Sequence, residues 1–268
     1  MGQLSLKILY CFTSSQNEPF LSLQNAGANA TWRLLLSPED RSVAVYANAF
    51  GSFNSLYKAS LIFERLRWGR FGSYFTLVLR IIMKPFSRRL PNWKEGNGDL
   101  FVNIPEGLTF LGFKMLSSMD YAVKKQYDWL VITNLSSYPV CYEIREFLAR
   151  LDPNQDIYAG KRLPSDVNSG ISGSFVILSS ATSKKILANK QFWDHSSLDD
   201  IALMKLTKKL GIQPIFVPSI TLDFTENVRE LASQLKKGTL HYKCGPVLKN
   251  GIRQDYLLMQ MLSHVLRS

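Results

Sequence analysis

Short, almost continuous apolar runs separated by longer mixed stretches set the pattern of this chain. Leu6 to Phe12 (LKILYCF) is such a run, and it stops at the polar cluster Thr13-Ser14-Ser15-Gln16-Asn17. A strand covered on both faces has no solvent side on which to alternate, so the contrast predicts a buried parallel strand opening into a loop. Ser42 to Ala47, Leu100 to Val102 and Trp129 to Thr133 repeat the pattern. Leu108 to Lys125 instead has helical periodicity, with apolar residues on one face and Lys114, Asp120 and Lys124 on the other. Strands alternating with helices predict an α/β fold: a mainly parallel central sheet flanked by helices, in a single domain spanning 1–268.

The second half continues the alternation. A helix is predicted from about Glu143 to Leu151, stopped by Asp152-Pro153-Asn154, and then a short strand at Ile157 to Ala159. Ser169 to Leu178 reads as a glycine-bearing loop running into a strand, and a helix follows from Ala181 with Ser180 as its N-cap. Another helix opens at Ser197 and ends at Gly211, where glycine suits a C-terminal cap. Residues 223–268 read as a C-terminal helical extension, with amphipathic patterns at Glu226 to Leu235 and Ile252 to Leu266.

One stretch is surplus to a minimal α/β unit. Residues 55–94 interleave Arg65, Arg67, Arg70 and Arg80 with Trp68, Phe71, Tyr74 and Phe75. The longest apolar stretch there, Tyr74 to Leu79, is far below the roughly 20 residues of a bilayer-spanning helix. It reads as a basic, aromatic insertion with two outcomes open: its aromatics pack on the domain's own core with the arginines solvated, or they make peripheral membrane contact, entering a headgroup boundary with the arginines on anionic lipid.

The net charge of +11 widens rather than narrows the choice of partner, since nucleotide diphosphates, anionic bilayers, acidic glycans and nucleic acid all attract a basic chain. Nucleic acid is set aside, because the sequence has no zinc finger, RNP motif, GXXG loop or basic region feeding a heptad repeat. Cys11, Cys141 and Cys244 are three, far apart, and without a C-x-x-C pair, which argues against a disulfide framework or structural zinc. With no secretory signal visible ahead of the first strand, the expected location is cytoplasmic, at or near a membrane, and the sequons at Asn29 and Asn134 are expected to carry no glycan.

Five segments, which make up four ordered matches, occur between residues 98 and 212. Gly98-Asp99-Leu100-Phe101-Val102-Asn103 is followed by Tyr127-Asp128-Trp129-Leu130-Val131-Ile132-Thr133, by Tyr158-Ala159-Gly160-Lys161, by Ser169-Gly170-Ile171-Ser172-Gly173-Ser174-Phe175-Val176, and by Leu198-Asp199-Asp200-Ile201 with Leu210-Gly211-Ile212. In that order and spacing they resemble the beta-1,3-galactosyltransferase and Fringe family, which reads "YDYLLKTDDDVFVN", "YAGKV", "YASGGGYVLS" and "EDVYVG…LGI" at these points. The resemblance implies a GT-A-like fold, a nucleotide-sugar donor, and a glycan or lipid-linked glycan acceptor.

It also locates a departure. The family's metal-holding aspartates are replaced by Asn134-Leu135-Ser136-Ser137, whose neutral oxygens are poor substitutes for carboxylates toward a hard dication. Manganese or magnesium is therefore disfavoured as a cofactor, and a catalytically silent glycan- or partner-binding domain is the rival reading. Similarity to "EDV" makes Asp200 the candidate base for an inverting transfer, with Asp199 orienting it or binding acceptor. The bland alternative is that both aspartates sit in a first helical turn because the helix dipole favours them there. Candidates to hold the departing diphosphate are Lys243 and Arg253, with His241, together with Thr13 and Ser14 after the first strand and Asn134 and Ser136. Ser169, Gly170 and Gly173 are the candidates for close backbone approach to sugar or acceptor.

Overall fold

The computed structural model of the chain describes residues 6–48, 90–104, 106–107, 110–163, 170–223, 225, 227–245, 248–249 and 252–267. The strands are β1 Ile8–Thr13, β2 Arg41–Ala47, β3 Trp93–Gly96, β4 Asp99–Val102, β5 Trp129–Asn134, β6 Ser137–Pro139, β7 Tyr158–Arg162, β8 Ile171–Ser179, β9 Pro214–Phe216, β10 Ser219–Leu222, β11 His241–Cys244, β12 Leu248–Lys249 and β13 Ile252–Arg253, of which β1, β2, β4, β5, β7 and β8 form close to their predicted bounds and the rest are not predicted from the sequence. The α-helices are α1 Phe20–Leu23, α2 Leu111–Lys124, α3 Cys141–Leu148, α4 Ser180–Ala188, α5 Asp199–Lys209, α6 Val228–Gln234 and α7 Asp255–Val265.

Eight strands form one sheet in the order β3-β4-β2-β1-β5-β8-β7-β9. Four of its neighbouring pairs are parallel and three antiparallel, so the α/β class and mainly parallel sheet expected from the sequence are what the chain forms. Alternate residues of β1 explain why its run is continuous. Ile8, Tyr10 and Phe12 enter one hydrophobic cluster, together with Ile144 of α3 and Leu258 and Leu262 of α7. Leu9 and Cys11 enter the opposite cluster, with Phe113, Leu116 and Met119 of α2 and Leu203 and Leu206 of α5. Each side chain so buried stabilises the fold by about 1.5–3 kcal/mol, and a polar residue on either face would forfeit that.

Local structure departs from expectation at four places. Ser179, not Ser180, caps α4, its Oγ accepting from Thr182 N at 3.0 Å. α5 opens at Asp199 rather than Ser197, whose hydroxyl donates instead to Asp194 Oδ2 at 2.7 Å, and Lys205 donates to both groups. Lys114, placed by periodicity on the polar face of α2, is only 1% exposed, because its ammonium is held by the Ser14 carbonyl at 2.9 Å and Glu106 Oε1 at 2.7 Å. The C-terminal region is not purely helical: β11 runs between α6 and α7 and forms a small sheet, β10-β11-β6, with a segment just after β5.

All of residues 55–89 lie outside the described residues, so the basic, aromatic insertion is represented only by its last residues, including Trp93 and Lys94 of β3. Among the described residues no helix is long and apolar enough to cross a membrane.

Candidate active site

β1 and β5 are parallel neighbours, and their last register pair is Thr13 with Asn134. Beyond it the next strand, β8, runs the other way, so the ends of β1 and β5 open onto a crevice of the kind where α/β sheets receive ligands. A cavity of about 340 Å³ lies there. It is lined by Thr13, Asn134, Lys161, Ser172, Gly173, Ser174, Asp199, Asp200 and Lys243, with Leu111 at the start of α2.

Its acidic wall is the first turn of α5. Asp200 Oδ1 accepts from Ile201 N at 2.9 Å, and Oδ2 accepts from Gly173 N at 3.2 Å. The first bond lies within the first turn of α5, which has no side-chain cap, and the second ties α5 to β8. Burial pushes the Asp199 carboxyl up to about 6, and the adjacent Asp200 charge adds to the shift. A carboxylate so poised accepts a proton more readily than an ordinary aspartate.

The same cavity also holds cations. Lys243 Nζ donates to Asn134 Oδ1 at 2.7 Å, and Lys161 Nζ donates to Thr221 Oγ1 at 2.6 Å. Both partners are neutral, and neither lysine has a carboxylate partner among the described residues. Burial, reinforced by the charges of Lys161 and Arg253, lowers Lys243 to about 8; burial also lowers Lys161. Gly160 makes the approach of Lys161 to the site feasible, since a Cβ there would stand 2.2 Å from the Phe175 carbonyl across the β7–β8 pair.

The remaining sequence candidates divide. Arg253 is outside the cavity lining; it donates to Ser136 Oγ and forms an ion pair with buried Asp255, so its charge is already balanced. Ser14 is buried and donates to Gln24 Oε1 at 2.7 Å, and Tyr46 donates to that same oxygen at 2.8 Å. Gly170 faces the protein rather than the cavity: a Cβ there would come within 2.5 Å of Met204 Sδ. Ser169 lies outside the described residues. His241 is no cation, because burial holds it well below its usual range; it stacks on Phe175 and shares a 2.6 Å hydrogen bond through Nδ1 with Ser219.

Lys161 was missed as a site residue although it stands in the Tyr158-Ala159-Gly160-Lys161 motif. Its role depends on a cavity no local pattern reveals. The three cysteines are free and buried.

The side-chain oxygen of Asn134 is engaged by protein donors. Asn134 Oδ1 accepts from Lys243 Nζ, from Ser137 Oγ at 2.8 Å and from Ser136 N at 3.2 Å. A carbonyl oxygen has two lone pairs, and these donors saturate it. Among the described residues no group of three His, Cys, Asp or Glu side chains is arranged to hold a metal.

No protein-family model matches the sequence, and no curated protein matches it. Among solved structures the chain is similar to the galactosyltransferase LgtC in complex with donor and acceptor sugar analogs, at 8% identity and TM-score 0.45 over 97% of this chain and 95% of that one. It is also similar to the apo form of mouse xyloside xylosyltransferase 1, at 10% identity and TM-score 0.41 over 89% and 97%. A third is the apo form of the glycosyltransferase GlyE of Streptococcus pneumoniae, at 8% identity and TM-score 0.46 over 98% and 63%.

Proposed function

We propose that the protein is a GT-A-like glycosyltransferase, akin to the beta-1,3-galactosyltransferase and Fringe family, that moves a sugar from a nucleotide-sugar donor to a hydroxyl of a glycan or lipid-linked glycan. The observation that carries this reading is the charge content of the cavity: two lysines with only neutral partners share its lining with two aspartates. Uncompensated, partly buried ammonium groups destabilise a fold unless an anion joins them, and a diphosphate is such an anion.

In an inverting transfer the acceptor hydroxyl loses its proton to a carboxylate as its oxygen attacks the anomeric carbon. The bond from that carbon to the diphosphate breaks, and the negative charge that develops on the leaving oxygen is stabilised by the lysines. Asp200 is the assigned base, held toward β8 by Gly173 N, and Asp199 stands beside it as the acceptor-facing acid.

The experiment is a panel of nucleotide sugars assayed by thermal shift and by donor hydrolysis or transfer, with Asp200→Asn beside the unaltered chain. A bound donor raises the melting temperature by mass action. Asp200→Asn is expected to lower turnover by a factor on the order of 10² to 10⁴ with donor affinity nearly kept. Near-normal turnover in that variant would leave Asp200 a helix-start residue only. The replacement of the motif acids by Asn134 and Ser136 favours a second reading, a silent domain that binds glycan or partner; donor binding without hydrolysis or transfer would select it.

A further inference from the structure

Each of the two neutral residues that stand at the family's metal-holding positions is occupied by a basic side chain from the C-terminal part of the chain. Asn134 receives Lys243, 109 residues away, and Ser136 receives Arg253, 117 residues away. The first pairing is built into the backbone: β11 lies antiparallel to β6 with Lys243 directly opposite Ser137, and Cys244 N donates to the Ser136 carbonyl at 2.8 Å. The two basic groups are not equivalent. Arg253 is neutralised by Asp255, so it fixes the turn after β5, whereas Lys243 keeps its charge uncompensated and lines the cavity.

We infer, on the basis of the glycosyltransferase reading, that Lys243 is a resident cation taking the place of a divalent metal at the diphosphate of the donor, with Arg253 as the residue that positions its seat. The three donors on Asn134 Oδ1 leave that oxygen no lone pair for a metal. They leave the ammonium two further N–H groups to donate to phosphate oxygens. Lys161, on the same cavity, adds a second positive charge. An ammonium tethered by its stem and by Asn134 needs no metal ion from solution, so diphosphate binding is independent of divalent ions.

This scheme and a metal-dependent one respond oppositely to a single isosteric change. Asn134→Asp sets a carboxylate against Lys243 and consumes its charge in an ion pair; for a metal site the same change restores an acid ligand.

The probes are inorganic pyrophosphate and a set of nucleoside diphosphates, titrated calorimetrically against the full chain in excess EDTA and again in manganese chloride. The expected result is equal affinity in the two buffers. Lys243→Met should weaken binding roughly 10- to 100-fold, the range for loss of one charge-assisted hydrogen bond. Lys243→Arg should keep most of it, and Asn134→Asp should weaken it in both buffers. Urea unfolding of each variant confirms that weak binding is not lost structure. Binding that vanishes in EDTA and returns with manganese, or that Asn134→Asp strengthens in manganese, would overturn the resident-cation role while leaving sugar transfer intact. A folded chain that binds none of these probes in either buffer would overturn both.

Discussion

Two ionisable side chains lining the cavity make separable pH predictions. Asp199 is held up to about 6 by burial and by Asp200, against an ordinary value near 4. Its protonated form is favoured by folding, so the associated stability is present below pH about 4 and is lost as the pH rises through about 6. Asp199→Asn removes the penalty, and is expected to stabilise the chain by on the order of 1–3 kcal/mol more at pH 8 than at pH 4, measured by urea unfolding. An equal effect at both values would mean that Asp199 is not strained. Such a stabilising substitution at a site is the signature of a group kept for chemistry rather than for the fold.

Lys243 shifts the other way, down to about 8, by burial first and then by Lys161 and Arg253, with Cys244 and Asp255 opposing. The ammonium is the binding form, so affinity for a nucleoside diphosphate should fall as pH rises through about 8, and Lys243→Arg should move that loss to much higher pH. An unchanged profile in Lys243→Arg would assign the titration elsewhere.

At the scale of elements, the β7–β8 pair positions one wall of the site, and Gly160 is its most constrained point. Its neighbours leave no room for a side chain, since an added Cβ would lie 2.2 Å from the Phe175 carbonyl and 2.5 Å from Ile171 Cγ2. Gly160→Ala is expected to destabilise the chain by about 1–3 kcal/mol and to displace Lys161, lowering diphosphate affinity in the protein that remains folded. Gly211, which ends α5 with φ of +75° and has nothing within 4 Å of an added Cβ, is the control. There alanine meets only backbone strain, about 1 kcal/mol, with affinity unchanged. Comparable losses at the two positions would show that the close approach at Gly160 is not what matters. Helix and strand existence was legible beforehand because burial on two faces, or on one, writes a period into the sequence. Cap identity was less so: Ser179 and Ser180 are both good caps, and the choice fell to the strand β8, which runs to Ser179 and delivers its hydroxyl to Thr182 N.

For the molecule as a whole, the net charge of +11 and the interleaved arginines and aromatics of residues 55–94 predict membrane-surface attachment near a lipid-linked acceptor. Each cation near an anionic bilayer contributes about 1 kcal/mol, so Arg65, Arg67, Arg70 and Arg80 should give cosedimentation with anionic but not neutral vesicles, reversed by high salt. Absence from both vesicle pellets at low salt would return that segment to the core or to an acceptor-binding role. The sequence by itself determined the α/β class, most helix positions and the longer strands of the central sheet, because burial periodicity is a local property of the chain, while the short strands, β3, β6 and β9 to β13, carry no such signal. Only the tertiary structure decided which charges remain uncompensated. Lys114 and Arg253 looked as available as Lys243, yet Glu106 and Asp255 neutralise the first two, while the register of β11 on β6 sets Lys243 against an amide. The physical reason is that a carboxylate compensates a cation only where the fold turns the two side chains together: Glu106 and Asp255 stand 8 and 2 positions from Lys114 and Arg253, whereas strand pairing sets Lys243 against the amide of Asn134, 109 positions away.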